Sequence, residues 1–268
     1  MTVLNEHQTA VSERVLSEEC DKRRHLVVAL SGAHAYGFPS PDSDLDLKAI
    51  HIAPTTAFLG LETPRLTFDR MEVIDGVEID YTSNELQMAL AGILKGNGNY
   101  LERVLGPIQL RTSPELTALR PLVEKSLSRR AYHHYRGFAT SQLAEFEKAE
   151  APMAKKLLYV LRTTLTGAHL LATGRLVTDL TELLDDYEIG EARALIEAKR
   201  SGERATLGSS ERERWRGQIA RLFEMLEKAR DRSPLPEEPE NRKEIEGWLI
   251  AVRRLGWGDS PLHRSPKA

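Results

Sequence analysis

The segment that most limits how this chain can fold runs from His25 to Ile52. It opens with His25-Leu-Val-Val-Ala-Leu-Ser31, a short apolar run rich in Val and Leu. Its length and the glycine directly after it predict a buried strand. Gly32 to Ser43 then holds two Gly, two Pro, two Ser and one Asp, which is loop chemistry with room for one helical turn. Asp44-Leu-Asp-Leu-Lys-Ala-Ile-His-Ile52 alternates polar and apolar residues, the pattern of a half-buried strand. On such a strand Asp44 and Asp46 share one face, and Leu45 and Leu47 point the other way into a core.

Two carboxylates side by side at the mouth of a loop repel each other unless a cation lies between them. Their hard oxygens suit Mg²⁺ (or Mn²⁺), which takes one or two carboxylates together with substrate phosphates. Paired ions of this kind can organise in-line attack on an α-phosphate. The glycine turn supplies the complementary half. Gly32 lets the backbone come close to a phosphate, and a helical turn starting near Ala33 or His34 offers free N–H groups to an anion. A phosphate cradle beside a metal-binding pair implies a nucleoside triphosphate. A third acid is expected on a neighbouring strand, where Glu78-Ile-Asp80 again puts two acids on one face; Asp80 is the expected member, placed to take a proton from an acceptor hydroxyl. A calcium loop starting at Asp42 is excluded, because its sixth and twelfth positions hold Leu47 and Ala53 rather than Gly and Glu.

Around this segment the chain divides by texture. Leu4 to Cys20 has weak helical spacing through Val11, Val15 and Leu16. Thr67–Ile74 and Val77–Thr82 flank Asp75-Gly76, the strongest short hairpin signal. Ser83 or Asn84 is expected to cap a helix carrying Leu86, Leu90, Ile93 and Leu94, with Gly96 ending it. After Pro107 strand-like alternation stops. Helices are expected over Pro114–Ser126, Arg129–Ala149, Pro152–Thr173, Thr178–Leu184, Gly190–Ala198, Ser209–Asp231 and Asn241–Leu255, with a loop over Ser233–Pro239 and a loose tail from Gly256. The expected fold is α+β: a small mixed-sheet domain over residues 1–110, then an all-helical domain over 111–268, with the nucleotide in the cleft between them.

Composition narrows the function classes. The chain has 268 residues, 41% of them hydrophobic, which is enough for a sizeable core and excludes disorder over its length. Its 37 basic and 40 acidic residues give a net charge of −3, so a generally basic nucleic-acid coat is excluded, although a short end-binding site is not. The single cysteine, Cys20, excludes a disulfide framework and a Cys-rich metal site. No apolar run approaches the ~20 residues of a membrane span. The polar start of the chain lacks a signal-peptide core, so a cytoplasmic protein without membrane contact is expected.

The motif as a whole resembles that of the DNA polymerase beta-like nucleotidyltransferase superfamily: an apolar strand, Gly-Ser or Gly-Gly, a gap of about ten residues, Asp-x-Asp, and a later acid on another strand. Here Gly32-Ala33 is followed by the ten residues His34 to Ser43, then Asp44-Leu45-Asp46, then Asp80. Ser31-Gly-Ala-His-Ala-Tyr-Gly37 with Ser43-Asp-Leu-Asp46 is similar, more narrowly, to a bacterial branch of predicted nucleotidyltransferases that includes the RNA-repair-pathway polymerase-beta-family proteins. Leu94–Glu102 and Lys155–Arg162 also resemble that branch, so the resemblance covers roughly residues 26–175. It implies transfer of a nucleoside monophosphate from an NTP such as ATP to an acceptor hydroxyl, with pyrophosphate leaving. Asp44, Asp46 and Asp80 would be the metal ligands and catalytic acids. Ser31, Gly32, Ala33, His34 and Ser43 would contact the phosphates, with Lys155 and Arg162 as a clamp from a helix and Asn97 and Glu102 facing the cleft. The implied acceptor is an RNA 3′ end. A protein hydroxyl and a small molecule are the alternatives within the same chemistry, and a non-catalytic nucleotide- or partner-binding regulator is the alternative outside it. One position departs from the pattern: Ala33 stands where the superfamily has Ser, which removes a hydroxyl from the phosphate site and leaves Ser31 or Ser43 to replace it. The oligomeric state is not encoded in any of these motifs.

Overall fold

The computed structural model describes residues 3–150, 153–201 and 206–257. Helix α1 (Glu6–Lys22) is started by Asn5 and Gln8 in a reciprocal capping box. Strand β1 (His25–Leu30) follows, then the single turn α2 (Gly32–Ala35), strand β2 (Leu45–His51) and a 3-10 turn over Thr55–Phe58. The hairpin β3 (Thr67–Ile74) and β4 (Val77–Glu85) turns on Asp75 and Gly76, both with positive φ, as the Asp-Gly signal requires. Helices α3 (Leu86–Ile93) and α4 (Gly98–Leu105) lead to strand β5 (Gln109–Thr112).

The five strands form one mixed sheet in the order β3-β4-β2-β1-β5. Only the central β2–β4 pair is parallel. β1 is buried along its whole length, as its unbroken apolar run predicts. On one side α1 covers the sheet, with Val11, Val15 and Leu16 against Val28, Leu45, Leu47 and Tyr81. On the other side Leu26, Val27 and Ile50 meet Leu86, Leu90 and Ile93 of α3 and Leu101 and Val104 of α4.

The remaining helices are α5 (Pro114–Lys125), α6 (Ala131–Lys148), α7 (Ala154–Thr173), α8 (Leu180–Leu183), α9 (Ala192–Arg200), α10 (Ser209–Asp231) and α11 (Arg242–Trp257). They match the expected helices to within two residues at each end. Pro152, the expected start of α7, and residues 258–268 of the expected tail lie outside the described residues. α7 is the central helix, packed by α6 and α10, and most of its side chains are buried.

Three local readings are corrected. β4 runs on to Glu85, so the cap of α3 is Glu85, whose carboxylate accepts from the Gln87 N–H. Ser83 and Asn84 cannot serve, because Ser83 is bonded to His51 and Asn84 to Arg103. Gly96, with φ +73°, follows the end of α3 as expected, but a further helix that the sequence reading did not separate, α4, begins two residues later. Beyond Pro107 one more strand, β5, forms and pairs with β1. The line between residues 110 and 111 therefore falls inside β5.

The loop after β1 is held by the helical half. Ala33, Ala35, Tyr36 and Phe38 belong to the core formed by Leu157, Leu161, Leu180 and Trp215. The Leu180 N–H donates to the Tyr36 carbonyl at 3.0 Å, and Arg200 donates to the Gly37 carbonyl at 2.6 Å. The first half of the motif loop, residues 32–38, is thus buried and pinned, while Pro41 and Asp42 are exposed.

Candidate active site

The motif residues gather where β1 ends and β2 begins. Ser31 directly follows β1, and its N–H donates to the Asp46 carbonyl at 2.9 Å. Gly32 has φ +62°, a left-handed backbone that favours glycine. A Cβ there would lie 1.8 Å from Asp46 Oδ2, so the missing side chain is what lets the Asp46 carboxylate rest against the turn.

Asp46 and Asp80 face each other across the parallel β2–β4 pair. Their side chains point to one face because both strands alternate in register, while Leu45, Leu47, Ile79 and Tyr81 fill the opposite, buried face. Asp44 precedes β2 by one residue. Burial, then the charge of Asp44, pushes the Asp46 carboxyl up to about 6, and Asp80 adds to the rise. Glu78, the alternative third acid, is exposed.

A cation does lie among these acids, and it is a lysine. Lys48 sits two residues after Asp46 on the same face of β2. Its Nζ is 2.7 Å from Asp80 Oδ1, 3.5 Å from Asp46 Oδ1 and 3.2 Å from the Asp80 carbonyl. The alternation Asp44, Asp46, Lys48 was visible in the sequence, but which side chain Lys48 would meet depended on the register of β4.

A cleft of about 260 Å³ opens beside Asp46 and Lys48. Ser31, Gly32, Tyr36, Glu102, Tyr159 and Arg162 line it, with Arg103 and Phe138 further along. Its wall is a polar network in which Arg162 Nη1 donates to Glu102 Oε1 at 2.8 Å. Tyr135 Oη donates to the same carboxylate at 3.2 Å and Tyr36 Oη to its other oxygen at 3.3 Å. The Ser31 hydroxyl lies 3.1 Å from Tyr36 Oη, and the Arg162 guanidinium stacks 3.6 Å above the Tyr36 ring. Burial pushes the Tyr36 hydroxyl up to about 12. The Glu102 charge and the surrounding tyrosines hold Arg162 protonated against the cost of its burial.

The other sequence-predicted residues lie around this centre. Ala33 is buried against the helical core and does not line the cleft; Ser31 is the hydroxyl that the cleft has instead. His34 is buried beside Gln8 of α1 and is not among the residues lining the cleft, and its burial lowers its basicity. Ser43 is bonded to Ser40, and both hydroxyls accept from Lys199, a lysine that sequence reasoning did not single out. Lys155 is exposed whereas Arg162 is buried, so the helix brings only Arg162 to the cleft. Asn97 caps α4, and Glu102 faces the cleft. Tyr36 and Tyr159 belong to the site through contacts that no local motif marks. Away from the cleft, Arg129 donates to the carbonyls of Ser233 and Leu235, and Arg130 pairs with Glu238.

The donor set suits a divalent cation: three carboxylates, two of them partly buried together, at a site whose own electrostatics hold Asp46 above the ordinary carboxylate range. Among the described residues no three His, Cys, Asp or Glu side chains form a ready-made metal cage.

The sequence matches the RNA repair pathway DNA polymerase beta family over residues 7–251. An uncharacterised protein of Methanocaldococcus jannaschii is 27% identical over 224 residues, 82% of this chain and 90% of its own length. An uncharacterised protein of Bacillus subtilis is 28% identical over 187 residues, 66% of this chain and 70% of its own. The crystal structure of a nucleotidyltransferase-like protein from Exiguobacterium sibiricum aligns over 92% of this chain and 76% of that one, at 12% identity and a TM-score of 0.33, too low to bear on fold or function. Among the described residues no helix is long and apolar enough to cross a membrane.

Proposed function

Since this chain belongs to the RNA repair pathway DNA polymerase beta family, we propose that it transfers a nucleoside monophosphate from an NTP to the 3′ hydroxyl of an RNA, releasing pyrophosphate. The observation that carries this reading is the register of the two central strands, which sets Asp46 opposite Asp80 beside the Gly32 turn.

Asp44, Asp46 and, once free of Lys48, Asp80 would hold Mg²⁺ or Mn²⁺. Such an ion would neutralise charge on the α-phosphate and orient it for in-line attack. The chain's own groups do the rest. Gly32 keeps the backbone low under the phosphates. Ser31 offers them a hydroxyl. Arg162, already fixed by Glu102 and Tyr36, places a positive charge in the cleft wall without having to be ordered on binding. Asp80 would take the proton of the attacking hydroxyl while helping to hold the metal. Catalysis of this kind is positioning and charge neutralisation, so loss of either strand carboxylate removes nearly all of it.

The test offers each α-labelled NTP with Mg²⁺ or Mn²⁺ to single-stranded RNA, to tRNA and to the protein itself, with Asp44→Ala as control. Label on an RNA 3′ end, absent with the variant, is the expected result. Label on protein instead moves the acceptor to a side-chain hydroxyl. Nucleotide binding with no transfer to any acceptor overturns the catalytic reading in favour of a regulator.

A further inference from the structure

We propose that Lys48 is a built-in counter-ion of the acidic cluster, and that a divalent cation must displace its ammonium from Asp80 before the third carboxylate can serve. The proposal rests on the reading of Asp44, Asp46 and Asp80 as metal ligands and assigns to this chain a competitor for that ion.

The geometry carries it. The Lys48 ammonium touches two oxygens of Asp80, Oδ1 at 2.7 Å and the carbonyl at 3.2 Å, and lies 3.5 Å from Asp46 Oδ1. It therefore occupies the space between two carboxylates that the parallel register holds face to face. The side chain is anchored on β2 and largely buried, 18% exposed, so this is not a mobile surface lysine that happens to pass an acid. Lys48 also lines the cleft. An ammonium pushed off Asp80 stays tethered there, where it can meet the phosphates that arrive with the metal.

The physical consequence is an exchange of cations. Without metal, one lysine charge offsets part of the repulsion among three carboxylates. With metal, two positive charges replace one, and the ammonium is released to a site that receives phosphate anions. Lysine suits this role better than arginine, because a flexible stem carrying a point charge can change partners, whereas a bidentate guanidinium fork stays with its carboxylate. The exchange lowers metal affinity in the absence of nucleotide and couples metal binding to nucleotide binding.

The experiment is calorimetric titration of Mn²⁺ into the full chain without nucleotide, for wild type, Lys48→Met, Lys48→Arg and Asp46→Asn, with melting measured in parallel in EDTA and in Mn²⁺. Methionine keeps the apolar stem and removes the charge. Lys48→Met should bind Mn²⁺ about five- to tenfold more tightly than wild type, melt lower in EDTA, and gain more from Mn²⁺. Lys48→Arg should bind at wild-type strength or more weakly. Unchanged or weaker binding by Lys48→Met, with Asp46→Asn still losing the ion, overturns the counter-ion role and leaves the metal reading intact. Equal binding by wild type and Asp46→Asn overturns both. If Lys48→Met does not fold, tighter binding by Lys48→Arg overturns the proposal, since that variant keeps the charge.

Discussion

The Asp46 carboxylate lies over Gly32 so closely that a single added carbon on the glycine would sit 1.8 Å from Asp46 Oδ2. Glycine is needed there twice, for its backbone angle and for the space above it. Gly32→Ala costs about 1 kcal/mol for the left-handed backbone alone. The larger effect is on position, because the Asp46 carboxylate must move off the turn. The expected outcome is a folded protein with a slightly lower Tm that has lost at least about a hundredfold in nucleotidyl transfer, measured with the labelled-NTP assay beside circular dichroism.

Asp46 separates function from stability. Burial and the neighbouring Asp44 charge raise its carboxyl to about 6, so the charged form works against the fold. Asp46→Asn removes that charge at nearly constant volume. It should abolish transfer while melting at or above wild type in EDTA, since each unit of raised pKa corresponds to about 1.4 kcal/mol of unfavourable charge. A large drop in Tm would show that the Lys48 contact outweighs the repulsion.

The buried pair of Arg162 and Glu102 joins α7 to α4, and Tyr36 and Tyr135 complete its bonds. Removing one partner leaves an unpaired charge in the cleft wall. Arg162→Met or Glu102→Gln should each lower unfolding free energy by about 3–5 kcal/mol in urea denaturation. The double variant should recover part of that loss, because no lone charge remains.

Acid should weaken the fold through two histidines at the other end of the sheet. Burial, and then the positive charge of Arg23, lower both His25 and His51 from 6.5 to about 4. A depressed histidine favours the neutral form in the folded state. Its contribution is therefore complete above the unfolded value of about 6.5 and is lost as pH falls toward 4, up to about 3 kcal/mol for each. Urea midpoints followed from pH 7 to pH 4.5 should fall steeply for wild type and less for His51→Asn. Parallel slopes for the two would remove His51 from the account.

Much of the site was legible because it depends on short-range periodicity. The two-residue spacing of Asp44 and Asp46 announced a shared strand face, and Asp75-Gly76 fixed where β4 begins and hence where Asp80 falls. β5 was not legible: Gln109-Leu-Arg-Thr112 is four residues long with little apolar content, and only pairing with β1 makes it a strand. Tyr36, Glu102, Tyr135 and Arg162 span more than a hundred residues of chain and meet only through tertiary packing. Lys48 was in plain view within the motif, yet its partner Asp80 was set by the parallel register, which no local pattern reports.

That register also decides where this gene can tolerate length variation. Asp46 and Asp80 meet because residue 45 pairs with 79 and residue 51 with 85 without interruption. Ala53 and Thr55 are held by Glu85 and Arg253, but the largely exposed stretch 59–66 before β3 can lengthen or shorten without disturbing that match. One residue gained or lost between Val77 and Asp80 instead sends Asp80 to the opposite side of the sheet. Insertions and deletions among functional descendants should therefore crowd into residues 59–66 and avoid 77–80, a pattern set by strand pairing rather than by the chemistry of the acids.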